Sequence, residues 1–140
     1  MNQNEIVLKT RAFDWRRWIS VFSALSFGMF GMDVLMNHIQ VLGTNPFSLI
    51  PLICSPLLIA LSLAAVFSAA WRRMAWIAGL LAVAVGLTGT LFHFVYNLAD
   101  SGGLAIIEAV LSAKRPPFAP AAFAATGVLM LFVALSGRKI

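Results

Sequence analysis

The sequence is poor in charge, in cysteine and in the side chains that common catalytic sites require. Charged residues make up 11% of the 140 residues, and there are one cysteine, two histidines and five acidic residues. The single cysteine, Cys54, excludes an internal disulfide, a CxxC redox pair and a four-thiolate cluster. No Ser/His/Asp elbow, phosphate-binding loop or HExxH motif occurs, and Gly102-Gly103 indicates only a turn. We therefore predict that the chain has no catalytic activity of its own and that Cys54 is a packing residue.

Apolar residues, by contrast, are far more frequent than in a soluble domain. They make up 61% of the chain, and the mean hydropathy is +0.91, whereas about 45–50% apolar residues is usual for globular proteins. Apolar runs of 18 or more largely uncharged residues predict membrane-spanning helices. Four such runs predict an all-α integral membrane protein, a single domain with spans at about 18–38, 47–70, 74–97 and 118–136.

The connections between the spans refine this four-helix bundle. The second and third spans are separated only by the corner Trp71–Arg73, so we expect them to be antiparallel neighbours. Pro51 and Pro56 predict a bend in the second span, unless Pro51 lies in the first turn, where it costs little. The connection between the third and fourth spans contains apolar residues with Glu108 and Lys114, which predicts a short amphipathic helix on the membrane surface.

Basic residues are concentrated in alternate connections. Eight of the ten Lys and Arg residues lie before the first span, between the second and third, or after the fourth, and only Lys114 and Arg115 lie on the other side. The positive-inside rule then predicts that both termini, including the basic tail 1–17, are cytoplasmic in a bacterial-type inner membrane. The net charge of +5 and the pI near 10.4 follow from this topology, so we expect no nucleic-acid partner.

Small residues recur at helical spacing in the third and fourth spans. Such faces let helices approach closely in a bilayer. They are Gly79, Ala82, Gly86 and Gly89 in the third span, and Ala121 and Ala125 with the neighbouring Ala122, Ala124 and Gly127 in the fourth. Because little of the chain lies outside the bilayer, we predict a partner held at these faces: the protein is an accessory or assembly subunit of a larger membrane complex, or a homo-oligomer.

The polar side chains within the spans converge on one membrane leaflet, the outer one in the predicted topology. His38 and His93 end the first and third spans at similar depth. The candidate binding residues are His38, His93 and Tyr96, and the surrounding polar cluster comprises Asp33, Asn37, Asn97 and Asp100. The spacing of His93, Tyr96, Asn97 and Asp100 predicts that they share one helix face.

This cluster supports two alternatives to the accessory role. The first is a redox module in which His38 and His93 bind haem b, or in which His93 and Tyr96 bind a quinone with Phe92, Phe94 and Phe118 around its ring. The second is a small proton-coupled transporter that uses Asp33, because a carboxylate within a span marks a functional site by default. Asp33 and His38 differ by about 140° around a helix, so we expect Asp33 to contact Asn37 and, from a neighbouring helix, to orient His93.

Overall fold

The computed structural model describes residues 14–40, 42–43, 45–102, 106–111, 116 and 118–136. Five α-helices, with no β-strand among these residues, follow one another along the chain. They are α1 (Trp15–His38), α2 (Leu49–Phe67), α3 (Ala69–Asp100), α4 (Ile106–Leu111) and α5 (Phe118–Leu135), with a short 3-10 helix at Pro46–Ser48 before α2. Four helices are long and apolar enough to cross a membrane: α1, α3, α5, and α2 together with its 3-10 turn. The predicted all-α membrane bundle is confirmed.

The four long helices form a ring. α3 packs most extensively against α5, and α1 against α2, while the contacts of α2 with α3 and of α1 with α5 close the ring. α1 and α3 therefore occupy diagonal corners. The core between the helices contains Phe27, Leu58, Met130 and Val133, whose side chains are fully buried, and the rings of Phe27 and Phe123 meet at 5.2 Å. Most other large apolar side chains face outward, as a lipid solvent requires.

The corner between α2 and α3 differs from the prediction. It lies at Ser68, which is extended (φ −133°, ψ 129°), and Trp71–Arg73 belong to the first turns of α3. A short minimum in hydropathy locates the basic residues but not the boundary between the two helices. An arginine is tolerated inside a helix when its side chain folds back over the preceding segment. One residue still suffices to make α2 and α3 antiparallel neighbours, as expected.

Arginine side chains complete this corner by binding the last carbonyls of α2. Arg72 Nη1 donates to Ala65 O at 3.1 Å and to Val66 O at 3.4 Å, and Arg17 Nε donates to Val66 O at 3.0 Å. The last carbonyls of a helix lack intrahelical donors and carry partial negative charge. Arg72 and Arg17 therefore cap α2, and we call this side of the bundle the arginine end.

Glycine permits the close packing of α3 against α5. A Cβ at Gly86 would overlap the backbone N of Ala124 and lie 2.7 Å from Pro120 O, and one at Gly79 would lie 2.9 Å from Gly127 O. Gly79, Ala82 and Gly86 are buried there and Gly89 is half-buried. This small-residue face of α3 is thus occupied by α5 of the same chain, and the expectation that it binds a separate partner is corrected.

Only part of the small-residue face expected on α5 packs against α3. Ala125 is exposed and Ala121 half-buried, whereas Ala124 and Gly127 are buried against α3. Each residue turns a helix by about 100°, so Ala122 and Ala125 are exposed although residues next to them in the sequence are buried.

Two residues of α2 lie where the sequence predicts: Pro51 in the first turn, and Cys54 in a packed position. Pro51 lies in the first turn of α2, where it is tolerated, and Pro56 lies inside the helix. The hydroxyl of Ser55 donates to Pro51 O at 2.7 Å. Cys54 is half-buried and packs against the core.

The segment between α3 and α5 contains the helix α4, with Ile106, Ile107 and Glu108 exposed. Its position on a membrane surface stays a prediction. Several basic residues used for the topology lie outside the described residues: Lys9, Arg11, Lys114, Arg115, Arg138 and Lys139.

Candidate ligand cavity

A cavity of about 560 Å³ opens at the end of the bundle opposite the arginine end. Its walls come from the last turns of α1, the 3-10 helix with the start of α2, the second half of α3, and the start of α5. Small-molecule sites measure about 300–1,000 Å³ and are mostly apolar, with a few placed polar groups. The cavity has the size and the composition of such a site.

His38 and His93 both line the cavity. Their ring centroids are 6.1 Å apart and their planes differ by 36°. The helices that carry them are diagonal in the ring, so the two imidazoles approach each other across the bundle. The structure thus places the two histidines at one site.

Each imidazole uses Nδ1 to contact a backbone carbonyl. His38 Nδ1 lies 3.0 Å from Val34 O, one turn back in α1, and His93 Nδ1 lies 3.0 Å from Pro116 O, just before α5. A carbonyl oxygen only accepts hydrogen bonds, so Nδ1 carries the hydrogen in both rings. In the neutral ring of His38, Nε2 then presents a lone pair, the arrangement that suits a hydrogen-bond acceptor or a metal ligand.

Asp33 and Asn37 line the same cavity from α1 and are bonded to each other. Asn37 Nδ2 donates to Asp33 Oδ1 at 2.9 Å and to Asp33 O at 2.8 Å. The expected Asp33–Asn37 contact is therefore present. The proposed Asp33–His93 bond is not among the contacts of the described residues, because the Nδ1 of His93 is bonded to Pro116 O and Asp33 is bonded to its own helix.

Aromatic rings form the apolar part of the lining. Phe47 of the 3-10 helix stacks on Phe92 of α3 at 5.2 Å, and Phe92 lies 6.2 Å from the ring of Tyr96. Phe30 and Phe123, 5.8 Å apart, close the inner side. Tilted ring pairs at these distances are favourable.

Sequence reasoning placed only part of this lining. Tyr96 and Phe92 line the cavity as expected, but Phe94 and Phe118 pack edge to face against each other at 6.3 Å outside the lining. Phe47 and Asn45 were missed. Asn45 Oδ1 accepts from Phe47 N at 3.1 Å and so holds the backbone of Phe47, whose ring lines the cavity.

The remaining polar cluster residues lie apart from the cavity. Asn97 is buried and Asp100 is exposed at the end of α3, and neither lines the cavity. Among the described residues, no group of three or more histidine, cysteine, aspartate or glutamate side chains has the geometry to hold a metal ion.

No protein-family model, no functionally curated protein and no solved structure matches the chain.

Proposed function

We propose that this multi-pass membrane protein binds a lipid-soluble, ring-bearing small molecule of the quinone class in the cavity between α1, α3 and α5. One observation carries the proposal: a single cavity of about 560 Å³ is lined both by two imidazoles and by a set of aromatic rings. A quinone needs these two features, namely apolar faces for its ring and polar side chains at its oxygen atoms.

The location of the cavity supports a ligand that arrives through the bilayer. The outer surfaces of the long helices are apolar, and the cavity lies near the helix ends. Amphipathic rings with polar atoms are favoured at that level, the interface between membrane and water. With cytoplasmic termini in a bacterial inner membrane, as we propose from the distribution of basic residues, this end of the bundle belongs to the outer leaflet.

The test is direct binding of decylubiquinone to the detergent-purified protein by equilibrium dialysis, with empty micelles as the control for partition. Val34 lines the cavity, whereas the neighbouring Leu35 does not and is 38% exposed. Val34→Trp is expected to fill the cavity and to weaken binding at least tenfold, while Leu35→Trp binds as the wild type does. Equal binding by both variants would place the ligand elsewhere.

A second candidate ligand is haem b, held by both histidines. The two Nδ1–H groups bonded to carbonyls and the 6.1 Å between the rings favour it, because a ligating histidine almost always donates its other ring N–H to a partner. An oxidised-minus-reduced absorbance spectrum of the purified protein separates the candidates. A Soret band lost in His38→Ala and His93→Ala selects haem, and a colourless protein eliminates it.

We also propose, as in the sequence analysis, that the chain acts within a larger membrane assembly or as a homo-oligomer. The exposed side of α5, which includes Ala125, is the surface to test, since the small-residue face of α3 is covered within the chain. This role is compatible with ligand binding.

A further inference from the structure

The hydrogen bonds of the cavity's α1 wall determine which kind of ligand group can bond to it. His38 Nδ1 donates to Val34 O, so that Nε2 of the neutral ring is an acceptor. A ligand atom that bonds to His38 through Nε2 must bring its own hydrogen.

Asn37 and Asp33 give this wall the same character. The amide nitrogen of Asn37 donates twice to Asp33, to the carboxylate and to the backbone carbonyl. The carboxylate has no hydrogen to donate when ionised, and the polar atom of Asn37 outside these bonds is its carbonyl oxygen. Three neighbouring side chains of α1 that line the cavity thus present acceptors.

The hydroxyl and amide groups elsewhere in the lining do not discriminate between a hydroxyl and a carbonyl group of the ligand. The hydroxyls of Tyr96 and Thr88 donate or accept, and the amide of Asn45 can donate to either kind of oxygen. The α1 wall does distinguish a ligand that carries hydrogen from one that does not.

We infer that the cavity selects the reduced, hydroxyl-bearing form of its ligand, a hydroquinone that donates a hydrogen bond to the acceptor wall formed by His38, Asn37 and Asp33. This inference rests on the proposed quinone-class binding. A carbonyl oxygen placed against the same wall meets only acceptors, so the quinone form leaves polar groups unpaired. Each unpaired group is expected to lower the affinity by about 5- to 150-fold.

The experiment compares three probes on the intact wild-type protein under anaerobic conditions: decylubiquinol, its bis-methyl ether and decylubiquinone. We expect the quinol to bind about tenfold or more tightly than either of the others, because both lack the donated hydrogen. The same preference raises the midpoint potential of the bound two-electron couple by about 30 mV for each tenfold difference in affinity. Equal affinities, or tighter binding of the quinone, would overturn the inference.

Two variants locate the preference. His38→Leu is expected to reduce the quinol-to-ether affinity ratio toward one. Gln40→Leu, just after the end of α1 but outside the lining, is expected to leave this ratio unchanged. A ratio that stays unchanged in His38→Leu would assign the selection to another group. Failure of all three probes to bind the wild type would reject the proposed function itself, which is a different result from binding without preference.

Discussion

His38 and His93 lie 6.1 Å apart on diagonal helices, yet their hydrogen bonds connect them to the fold in different ways. The Nδ1 of His38 bonds within its own helix, whereas the Nδ1 of His93 bonds to Pro116 O, 23 residues away. The two rings therefore share a site, and we expect them to contribute differently to stability.

The first prediction follows from this difference. We expect His93→Leu to lower the free energy of unfolding by about 0.5–1.5 kcal/mol, because it removes a hydrogen bond between α3 and the segment that leads into α5. His38→Leu removes only a bond to a carbonyl four residues back and is expected to change stability less. Urea unfolding in a fixed detergent, followed by circular dichroism, compares the two variants. A larger loss in His38→Leu would contradict the assignment.

The fold could be predicted from the sequence because hydropathy and helix length alone locate spans. The ends of α1 and α5 lie within a few residues of the predicted ones, but the corner between α2 and α3 does not lie where it was predicted. Tertiary contacts decide whether an arginine such as Arg72 belongs to a loop or caps one helix from within the next. The same limit applies to the cavity. The similar depths of His38 and His93 can be predicted from their positions within the two spans. The position of Phe47, by contrast, depends on the Asn45 cap and on Phe92 of another helix.

The second prediction concerns the contact of α3 with α5. Gly86→Ala is expected to destabilise the protein by about 1–3 kcal/mol, because its Cβ would overlap the backbone of Ala124 and crowd Pro120 O. Gly28→Ala is the matched control, since its Cβ would meet Ile59 Cδ1 at 3.8 Å, an ordinary contact. Alanine favours helix over glycine, so we expect Gly28→Ala to be as stable as the wild type or slightly more stable. Thermal unfolding of both variants in one detergent measures this, and similar losses would argue against the close packing.

The third prediction uses two adjacent alanines of α5. Ala124 is 7% exposed and faces α3, whereas Ala125 is exposed. Ala124→Leu is expected to cost about 1–3 kcal/mol of stability through overpacking, and Ala125→Leu less than about 0.5 kcal/mol, as is usual for a surface position.

The same pair tests the proposed assembly. If the outer side of α5 binds a partner or a second copy, Ala125→Leu changes the oligomeric state, measured by light scattering with detergent correction, without changing the unfolding midpoint. An unaltered mass in both detergent and nanodiscs would remove this surface from the proposal.

The last prediction concerns the arginine end. Arg72 donates to Ala65 O and Val66 O and lies 3.7 Å from Asp14, with 16% of its side chain exposed, whereas Arg73 on the next position is exposed. Hydrogen bonds from a charged donor contribute about 1.5–3 kcal/mol, and the contact with half-exposed Asp14 adds little. We therefore expect Arg72→Gln to lower the free energy of unfolding by about 1–3 kcal/mol and Arg73→Gln to leave it nearly unchanged.

Both variants remove one positive charge from the same turn of α3, so any effect of the lost charge on membrane topology should be the same in both. A selective loss in Arg72→Gln, measured by urea unfolding and accompanied by unchanged topology in a cysteine-accessibility assay, would separate helix capping from charge-directed insertion. Equal losses in the two variants would instead assign the role of this corner to its charge.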